Sequence, residues 1–264
     1  MTMDNMKICD LHTHTTFSDG DASVEQLLAI AGRQGYQLGI SDHIFCPSYN
    51  DDFDQIEHYF DALQDYPVFI GVEGNIGDRV QWPERLVPKF DYVIASVHAV
   101  QYKGEKLFLS QYFGRRAGHR PDCQLDYDPG ASPAILTDVL GQIESTFRAT
   151  RVDILGHCTV LPFYEDLIGS AFLEDWEREV IALCRKYGVA IEISGMWREP
   201  SRAFLEKALR AGVNFSFGSD CHRLSESCNL EYPLQMLKEL PEIGERLFEP
   251  QSERRLLKKR RKSV

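Results

Sequence analysis

Six of the eight histidines, and several carboxylates, stand where short apolar runs of the chain end. Asp10-Leu11-His12-Thr13-His14 closes the first of these runs. Later runs end in the same residue types, at Asp42 and His43, Glu73, His98, His157, and Asp220 and His222. Imidazole and carboxylate groups without thiolates suit Zn²⁺, Mn²⁺ or Fe²⁺. The repeated pattern predicts one polynuclear metal site at the carboxyl ends of parallel strands.

The predicted ligands share a position beside the end of a strand-like run. They are His12, His14, Asp19, His43, Glu73, His98, His157, Asp220 and His222. His12 and His14 are two residues apart, so both rings point to the same side of an extended chain. One ion with an open position needs fewer ligands than nine. We therefore expect two or three ions and at least one bridging carboxylate.

Four other residues with ligand-type side chains are not predicted to bind metal. Asp42 is a candidate for orienting an imidazole, and its alternative role is that of a turn residue. Cys221 would point away from the site on an extended chain. His58 is interpreted as a surface residue, and His119 stands in a polar stretch where nothing requires a chemical role.

Seven short strand candidates must carry the ligands. They are rich in Val, Ile and Phe, and cover residues 7–11, 38–41, 68–72, 92–97, 152–155, 190–193 and 214–217. Helical patterns lie between them at 23–34, 54–64, 132–148, 171–187 and 201–211. Ser23 with Gln26 is typical of a helix start, and Gly35 of a helix end. The alternation predicts an α/β fold, and ligands at the far strand ends favour a TIM-like barrel over an open sheet.

The composition is that of an ordinary globular protein, with 264 residues, 43% hydrophobic and 26% charged. We expect one barrel domain over residues 1–250, followed by a basic tail over 251–264. No stretch approaches the roughly 20 apolar residues of a membrane helix. The first ten residues do not resemble a signal peptide. Seven scattered cysteines, without a CxxC pair, favour reduced thiols, so a cytoplasmic location is expected.

The net charge of −11 constrains the partners. Seven basic residues fall within 254–262, so the rest of the chain is more acidic still. An acidic body argues against binding of long nucleic acid and suits divalent cations. The tail could contact nucleic acid or an anionic surface, although a solvated terminus is favoured. The sequence does not predict the oligomeric state.

A polar stretch over residues 101–130 interrupts the strand–helix rhythm directly after His98. A loop of this length inside a compact domain is usually functional. It is therefore interpreted as a lid or specificity loop, with an insertion of no chemical role as the alternative. Arg115 and Arg116 are its candidates for contact with substrate.

Taken together, these segments resemble the PHP (polymerase and histidinol phosphatase) family. The segments that carry the resemblance are 10–14 with Ser18-Asp19-Gly20, Ser41-Asp42-His43, Gly71-Val72-Glu73, Ser96-Val97-His98, Gly156-His157 and 218–222. The resemblance implies a distorted seven-stranded (β/α)7 barrel with a trinuclear site. It implies one ion held by His12, His14, Glu73 and Asp220. Glu73 would bridge to a second ion on His98 and His157, and Asp19, His43 and His222 would hold the third.

The segment 192–198 is similar to the Ser-Gly-x-Arg segment of PHP-type histidinol-phosphate phosphatases. That likeness implies that Arg198 faces the substrate phosphate, which a guanidinium can bind in bidentate fashion. A surface arginine is the alternative. Residues 158–162 lack the acidic and then basic pair of those phosphatases, which weighs against histidinol phosphate itself.

The expected function is metal-dependent hydrolysis of a small phosphomonoester by a metal-activated water. Glu73, Asp220 and His222 are the predicted catalytic residues, the last two as candidates for moving a proton. The same fold leaves open a phosphodiesterase or nuclease acting on nucleotides or short oligonucleotides, and a protein-tyrosine phosphatase. A barrel that binds metal without turnover is the least favoured alternative.

Overall fold

The computed structural model describes residues 6–45, 50, 52–77, 86–116 and 128–250. Its strands are β1 Cys9–Asp10, β2 Gln37–Ile40, β3 Phe69–Asn75, β4 Tyr92–Ser96, β5 Ala99–Tyr102, β6 Glu105–Phe108, β7 Ile154–Leu155, β8 Ala190–Ser194 and β9 Phe215–Gly218. Its helices are α1 Val24–Gln34, α2 Phe53–Leu63, α3 Leu109–Arg116, α4 Ser132–Ala149, α5 Ala171–Tyr187, α6 Arg202–Ala211 and α7 Glu231–Glu239.

Seven strands form one parallel sheet, in the order β1-β2-β3-β4-β7-β8-β9. The two outer strands also meet, because Leu11 N donates to Phe217 O over 2.9 Å and Asp220 N donates to His12 O over 2.8 Å. The sheet is thus rolled into a distorted barrel with helices outside. The predicted (β/α)7 fold is confirmed. The single domain over residues 1–250 stays a prediction. The basic tail, 251–264, lies outside the described residues.

The side chain of Tyr92 lies between the strands inside the barrel. It is fully buried at the start of β4, and its hydroxyl donates to Leu11 O over 2.6 Å. A Cβ at Gly39 or Gly71 would lie 2.3 or 2.2 Å from the phenol. Glycine at these two positions therefore makes room for the ring, which fills part of the barrel interior.

The five predicted helices, α1, α2, α4, α5 and α6, begin and end within one residue of their predicted ranges. Ser23 and Gln26 form a reciprocal capping box at the start of α1. Gly35, Gly188 and Gly212 end α1, α5 and α6 in the left-handed conformation that glycine adopts at no steric cost. Helix α7 was not predicted.

The polar stretch that follows His98 was predicted to be a loop, but up to residue 116 it has regular secondary structure. Strands β5 and β6 pair in antiparallel fashion, and α3 follows directly. Lys103 and Gly104 connect the strands with φ of 51° and 82°, the backbone that a two-residue hairpin turn requires. Alternation of polar residues with buried Val100 and Leu107 is the signal that would have predicted this hairpin. Residues 117–127 of the stretch, with His119, lie outside the described segments.

No helix within the described segments is both long and apolar enough to cross a membrane. Within those segments, Cys9, Cys158, Cys184, Cys221 and Cys228 form no disulfide, and the reduced state of the thiols stays a prediction. Cys46 and Cys123 lie outside them.

Candidate metal centre

All nine predicted ligands gather at the carboxyl end of the barrel. The loop after β1 supplies His12, His14 and Asp19, and β3 supplies Glu73 from within the strand. The segments after β2, β4, β7 and β9 supply the remaining five: His43, His98, His157, Asp220 and His222. Parallel strands that end at one rim explain how residues more than 200 positions apart in sequence meet.

The Glu73 carboxylate lies in the middle of the cluster and is buried. Its Oε1 lies 3.2 Å from Nε2 of His12, 3.3 Å from Nε2 of His98 and 3.4 Å from Nε2 of His157. Its Oε2 lies 2.9 Å from Nδ1 of His43 and 3.5 Å from Nε2 of His14. One carboxylate with imidazoles on both oxygens has the arrangement of a bridge between two ions.

Two further carboxylates flank Glu73. Oδ1 of Asp220 lies 3.5 Å from Nε2 of His12 and 3.3 Å from Nε2 of His14. Oδ1 of Asp19 lies 3.4 Å from Nε2 of His222 and 3.8 Å from Nδ1 of His14. His14 thus has a carboxylate oxygen near each of its ring nitrogens.

The donor atoms fit divalent cations. Within the described segments, both oxygens of Glu73, both ring nitrogens of His14 and Nε2 of His12 are buried without a hydrogen-bond partner. Buried polar groups normally have a partner, and a bound ion would satisfy these. Three groups have donor atoms within 4.8 Å of one another: His14, Asp19, His43 and His222; His12, His14 and Glu73; His43, Glu73 and His98. These groups share members, so the cluster is continuous.

Two of the candidate ligands have a backbone conformation that residues other than glycine rarely adopt. The φ angles are 27° at His157 and 51° at Asp220. Such conformations persist where the surrounding structure enforces them, and they concentrate at functional sites. Each of these residues stands two positions after the end of a strand, β7 for His157 and β9 for Asp220. The turn at that point brings its side chain to the cluster.

Glu192, which the sequence reasoning did not select, joins two ligand segments beneath the cluster. Its Oε1 accepts from Nδ1 of His12 over 2.7 Å, and its Oε2 accepts from the backbone N–H of His157 over 2.7 Å. The proton on Nδ1 leaves Nε2 of His12 free to bind metal. A Cβ at Gly218 would lie 2.0 Å from Oε1, so glycine is required beside this carboxylate. The sequence signal that could have identified Glu192 is the presence of a glutamate inside the apolar strand β8.

Two other residues orient candidate ligands. Oδ1 of Asn75 accepts from Nδ1 of His98 over 2.5 Å, which leaves Nε2 facing Glu73. Nε1 of Trp197 donates to Oδ2 of Asp220 over 2.7 Å, which leaves Oδ1 for the cluster. Neither residue has a sequence signature, because each acts through a contact made only in the folded chain.

Asp42 does not orient an imidazole. It accepts from the backbone N–H of Thr15 over 2.7 Å, from Oγ1 of Thr15 over 2.8 Å and from Oγ of Ser18 over 2.6 Å. The carboxylate therefore fixes the loop between His14 and Asp19. Cys221 is buried among apolar side chains, as the alternation of the chain indicated.

Burial and neighbouring charges shift the pKa values of the cluster. Burial, with help from adjacent imidazoles, lowers the pKa of His14 to about 3. Burial would also lower the pKa of His43, but the Glu73 carboxylate beside it raises that pKa to about 9. Burial would raise the pKa of Glu73, yet the surrounding imidazoles hold it well below its ordinary value. Glu73 is thus a buried anion, and a divalent ion can replace the protons that balance its charge.

Among the described side chains, no hydrogen bond or ion pair joins the predicted substrate-binding Arg198 to the nine candidate ligands. The Arg198 guanidinium is half-exposed, lies 5.4 Å from the centre of the Tyr232 ring, and approaches Glu231 at 3.9 Å. Arg115 and Arg116 belong to helix α3, and their side chains lie outside the described part of the structure.

The sequence profile of the PHP domain family matches residues 10–195. The chain belongs to the PHP domain family. The resemblance found in the sequence is therefore confirmed. Asp220 and His222 lie beyond the matched residues, and the fold brings them to the same cluster as the matched ligands.

A sequence relative of this PHP chain is the DNA polymerase/3'-5' exonuclease PolX of Bacillus subtilis (strain 168). The two are 23% identical over 233 residues, which are 81% of this chain and 34% of that protein. The chain thus spans about a third of the length of this relative.

Two solved structures are similar to this PHP chain. A candidate histidinol phosphatase, HisK, from Listeria monocytogenes has a TM-score of 0.65 and 16% identity, over 83% of this chain and 96% of that one. Histidinol phosphate phosphatase from Lactococcus lactis, complexed with zinc, L-histidinol and phosphate, has a TM-score of 0.58 and 16% identity. The match covers 88% of this chain and 93% of that one. Both likenesses show the PHP fold. Family membership and the ligand cluster agree with the predicted metal-dependent hydrolase that uses divalent ions.

Proposed function

We propose that this chain hydrolyses a small phosphomonoester at a centre of two or three divalent metal ions. The observation that carries the proposal is the buried Glu73 carboxylate, with imidazole nitrogens 2.9 to 3.5 Å from both of its oxygens. A carboxylate that has imidazoles beside both of its oxygens is suited to be shared by two ions. Three further histidine–carboxylate contacts, those of Asp19, extend the same cluster toward solvent.

The ligands divide among the ions in the manner that the PHP resemblance implies. His12, His14, Glu73 and Asp220 would hold the first ion. Glu73, His98 and His157 would hold the second, and Asp19, His43 and His222 the third. His14 and His43 also lie beside the neighbouring sets, which supports a compact centre in which one ion influences the affinity of the next.

Bound divalent ions would lower the pKa of a water and stabilise negative charge on phosphoryl oxygens. The chain's own contribution is the placement of the ligands. Glu192 and Asn75 hold protons on Nδ1 of His12 and His98, and so keep the opposite nitrogens available. Nδ1 of His222 lies 3.1 Å from Asp220 O and can donate to it, which leaves Nε2 toward Asp19. Catalysis then depends on a centre that is oriented before substrate arrives.

Substrate would approach over the solvent-facing rim. The side chains of His98, His222 and Asp19 are exposed by 27%, 29% and 34%. Arg198 remains the proposed phosphate contact, because it follows Trp197, whose indole touches Asp220, and because its guanidinium is half-exposed. Arg115 and Arg116 are further proposed contacts on helix α3.

The similar structure from Lactococcus lactis, with zinc, L-histidinol and phosphate, supports a phosphomonoester substrate and zinc among the candidate metals. Manganese and iron suit the same ligand types. The segment Cys158-Thr159-Val160-Leu161-Pro162 departs from the family's charged pair, so we propose a substrate other than histidinol phosphate itself.

Phosphate release from a panel of esters tests the proposal. The panel holds histidinol phosphate, nucleotides, sugar phosphates, phosphotyrosine and a chromogenic diester, with protein loaded with Mn²⁺, Zn²⁺ or Fe²⁺ and assayed for bound metal. Turnover of a small monoester that a chelator abolishes is the expected result. Bound metal with no release from any compound would overturn the proposal and favour a barrel that binds metal without turnover.

Phosphodiester hydrolysis is the second candidate, because the PolX relative, named as an exonuclease, matches 81% of this chain. The net charge of −11 argues against long nucleic acid and leaves nucleotides and short oligonucleotides. Hydrolysis of the diester in preference to every monoester would favour this candidate. Preference for phosphotyrosine would instead indicate a protein-tyrosine phosphatase.

A further inference from the structure

Phe113 of helix α3 packs against the indole of Trp197, and that indole contacts a candidate metal ligand. The ring centres of Phe113 and Trp197 lie 5.5 Å apart, and Nε1 of Trp197 donates to Oδ2 of Asp220 over 2.7 Å. We propose that Phe113 is a positioning residue of the candidate metal centre, which holds the Trp197 indole against Asp220 and so increases the affinity for the ion on Asp220. The inference rests on the metal-binding part of the proposed function and is independent of the ester that is hydrolysed.

The turn after β8 fixes the backbone of Trp197. Trp197 N donates to Oγ of Ser194 over 3.4 Å, and Gly195 N donates to Gly218 O over 2.7 Å. A Cβ at Gly195 would lie 1.8 Å from Asn229 O, so glycine is required where the turn passes that residue. The backbone of the turn is therefore fixed, and the contacts of the Trp197 side chain decide the direction of its indole.

The partly buried Trp197 side chain has two aromatic neighbours. The Phe113 ring is tilted by 51° to the indole, and the His157 ring lies 6.3 Å from it at a tilt of 53°. Rings at these separations attract one another, and this attraction restricts the rotation of the side chains. His157 is itself a candidate ligand, so Phe113 is the neighbour that holds the indole from outside the centre.

Helix α3 can hold Phe113 in place because the preceding residue anchors the helix to the core. Tyr112 is buried, and its hydroxyl accepts from Phe163 N over 3.1 Å. The Tyr112 ring lies 5.1 Å from the Phe163 ring and 5.1 Å from the Phe113 ring. Phe163 belongs to the segment that follows the candidate ligand His157, so the helix is anchored beside the metal centre.

The indole contact matters because it restrains the carboxylate of Asp220. The other oxygen of this carboxylate, Oδ1, lies 3.5 Å from Nε2 of His12 and 3.3 Å from Nε2 of His14. The indole N–H bound at Oδ2 keeps Oδ1 directed toward these imidazoles before an ion arrives. Loss of a partner that orients a ligand usually costs about 10- to 100-fold in metal affinity.

Titration of the chelator-treated full chain with Zn²⁺, against a competing chelator, tests the inference. Trp197→Phe keeps a ring and removes the N–H, so the affinity for the ion on Asp220 should fall about tenfold. Phe113→Leu removes the ring that holds the indole and should weaken binding of the same ion about threefold. In the Trp197→Phe background no N–H is left to position, so Phe113→Leu should then change the affinity by less than about 1.5-fold.

Phe113→Tyr keeps the ring and should bind Zn²⁺ within about 1.5-fold of the wild type. Phe60→Leu is the matched control: Phe60 is a partly buried phenylalanine on α2, and its ring lies 6.2 Å from that of Phe90, just before β4. It makes the same change at the opposite end of the barrel. Tryptophan emission should move to longer wavelength in Phe113→Leu, where the indole gains water, and stay unchanged in Phe60→Leu. If Phe113→Leu does not fold, Phe113→Met takes its place in the same comparison.

Three outcomes would overturn the inference. They are Zn²⁺ affinity of Phe113→Leu equal to that of the wild type, an equal loss in Phe60→Leu, and an equal loss with and without the Trp197 N–H. A wild type that binds no Zn²⁺ would remove the inference and the proposed function together. Zn²⁺ binding with the expected coupling, but without phosphate release from any ester, would uphold the inference and remove only the phosphomonoesterase proposal.

Discussion

The candidate metal centre has a buried half and an open half. The side chains of His12, His14, Glu73 and Asp220 are at most 5% exposed, whereas those of His98, His222 and Asp19 are 27% to 34% exposed. Electrostatic interactions are stronger where water is excluded and weaker where it screens them. The buried half is therefore suited to retain its ions, and the open half to meet substrate.

The supporting elements explain this difference. The buried half comes from β3 and from the segments that close the barrel, where Asp220 N donates to His12 O. Asp19 and His222 lie in loops outside the sheet, and His98 precedes the hairpin that lines a neighbouring cavity. The rigid sheet thus holds the charge that the metals require, and the loops form the surface that substrate reaches.

The largest effect is expected from Glu73→Gln, which removes the charge shared by the two halves. Bound metal should fall, and turnover should fall by at least about a thousandfold, a barrier increase of about 4 kcal/mol. Metal analysis and phosphate release on the purified variant measure both. Full activity with unchanged metal content would contradict a bridging role.

The metal-free protein should lose stability as the pH rises from 6.5 to 9. The pKa of His43 is raised to about 9 in the folded protein, against 6.5 in the unfolded chain. Protonation of His43 therefore stabilises the folded state fully below pH 6.5, and this stabilisation is lost as the pH rises through 9. For His43 alone, the free energy of unfolding falls by about 3 kcal/mol, at about 1.4 kcal/mol for each unit of pKa difference. The pKa values of His12 and His157 are raised as well, because nearby carboxylates outweigh the opposing effect of burial, so they act in the same direction.

Urea unfolding of chelator-treated protein at pH 6.5, 7.5 and 9 measures this change. Glu73 and Asp220, whose pKa values are lowered by neighbouring imidazoles against the effect of burial, stay ionised throughout this window and do not contribute. Metal-loaded protein is the control and should not show the decline, since its ligands carry no exchangeable proton on the bound nitrogen. Equal stability of the metal-free protein at pH 6.5 and 9 would show that the buried imidazoles are neutral.

Glu192→Gln should weaken metal binding by about 10- to 100-fold, the usual cost of losing the partner that orients a ligand. The amide keeps the shape of the side chain but not the charge that fixes the proton on His12. Metal titration measures the affinity, and Glu242→Gln, at an exposed glutamate in the segment after α7, is the control. An affinity equal to that of the control would mean that His12 is held by packing alone.

The smallest effect is expected from Asp19→Asn, in the open half. Its carboxylate is a third exposed, so its charge is partly screened. The most weakly held ion should be lost, with turnover reduced about tenfold, while the ions of the buried half remain. Loss of all bound metal would show that the centre does not divide into two halves.

The sequence determined the barrel and which residues gather at its carboxyl end, because both follow from local patterns. Apolar runs predicted the strands within a few residues, for example 190–193 against Ala190–Ser194 in β8. Parallel strands end at one rim, so polar residues at those ends had to converge without knowledge of any contact. Caps at Ser23 and Gly35 are equally local, since each depends on residues within one turn of the helix.

Tertiary structure alone decided how the ligands are oriented and what surrounds them. His12 and Glu192 are 180 positions apart, and Trp197 and Asp220 are 23 apart on different elements. The hairpin after His98 is defined by which alternate residues the core buries, and it lines a cavity together with Gln142 of α4. Such contacts depend on the packing of distant elements, and a short-range pattern carries no information on that packing.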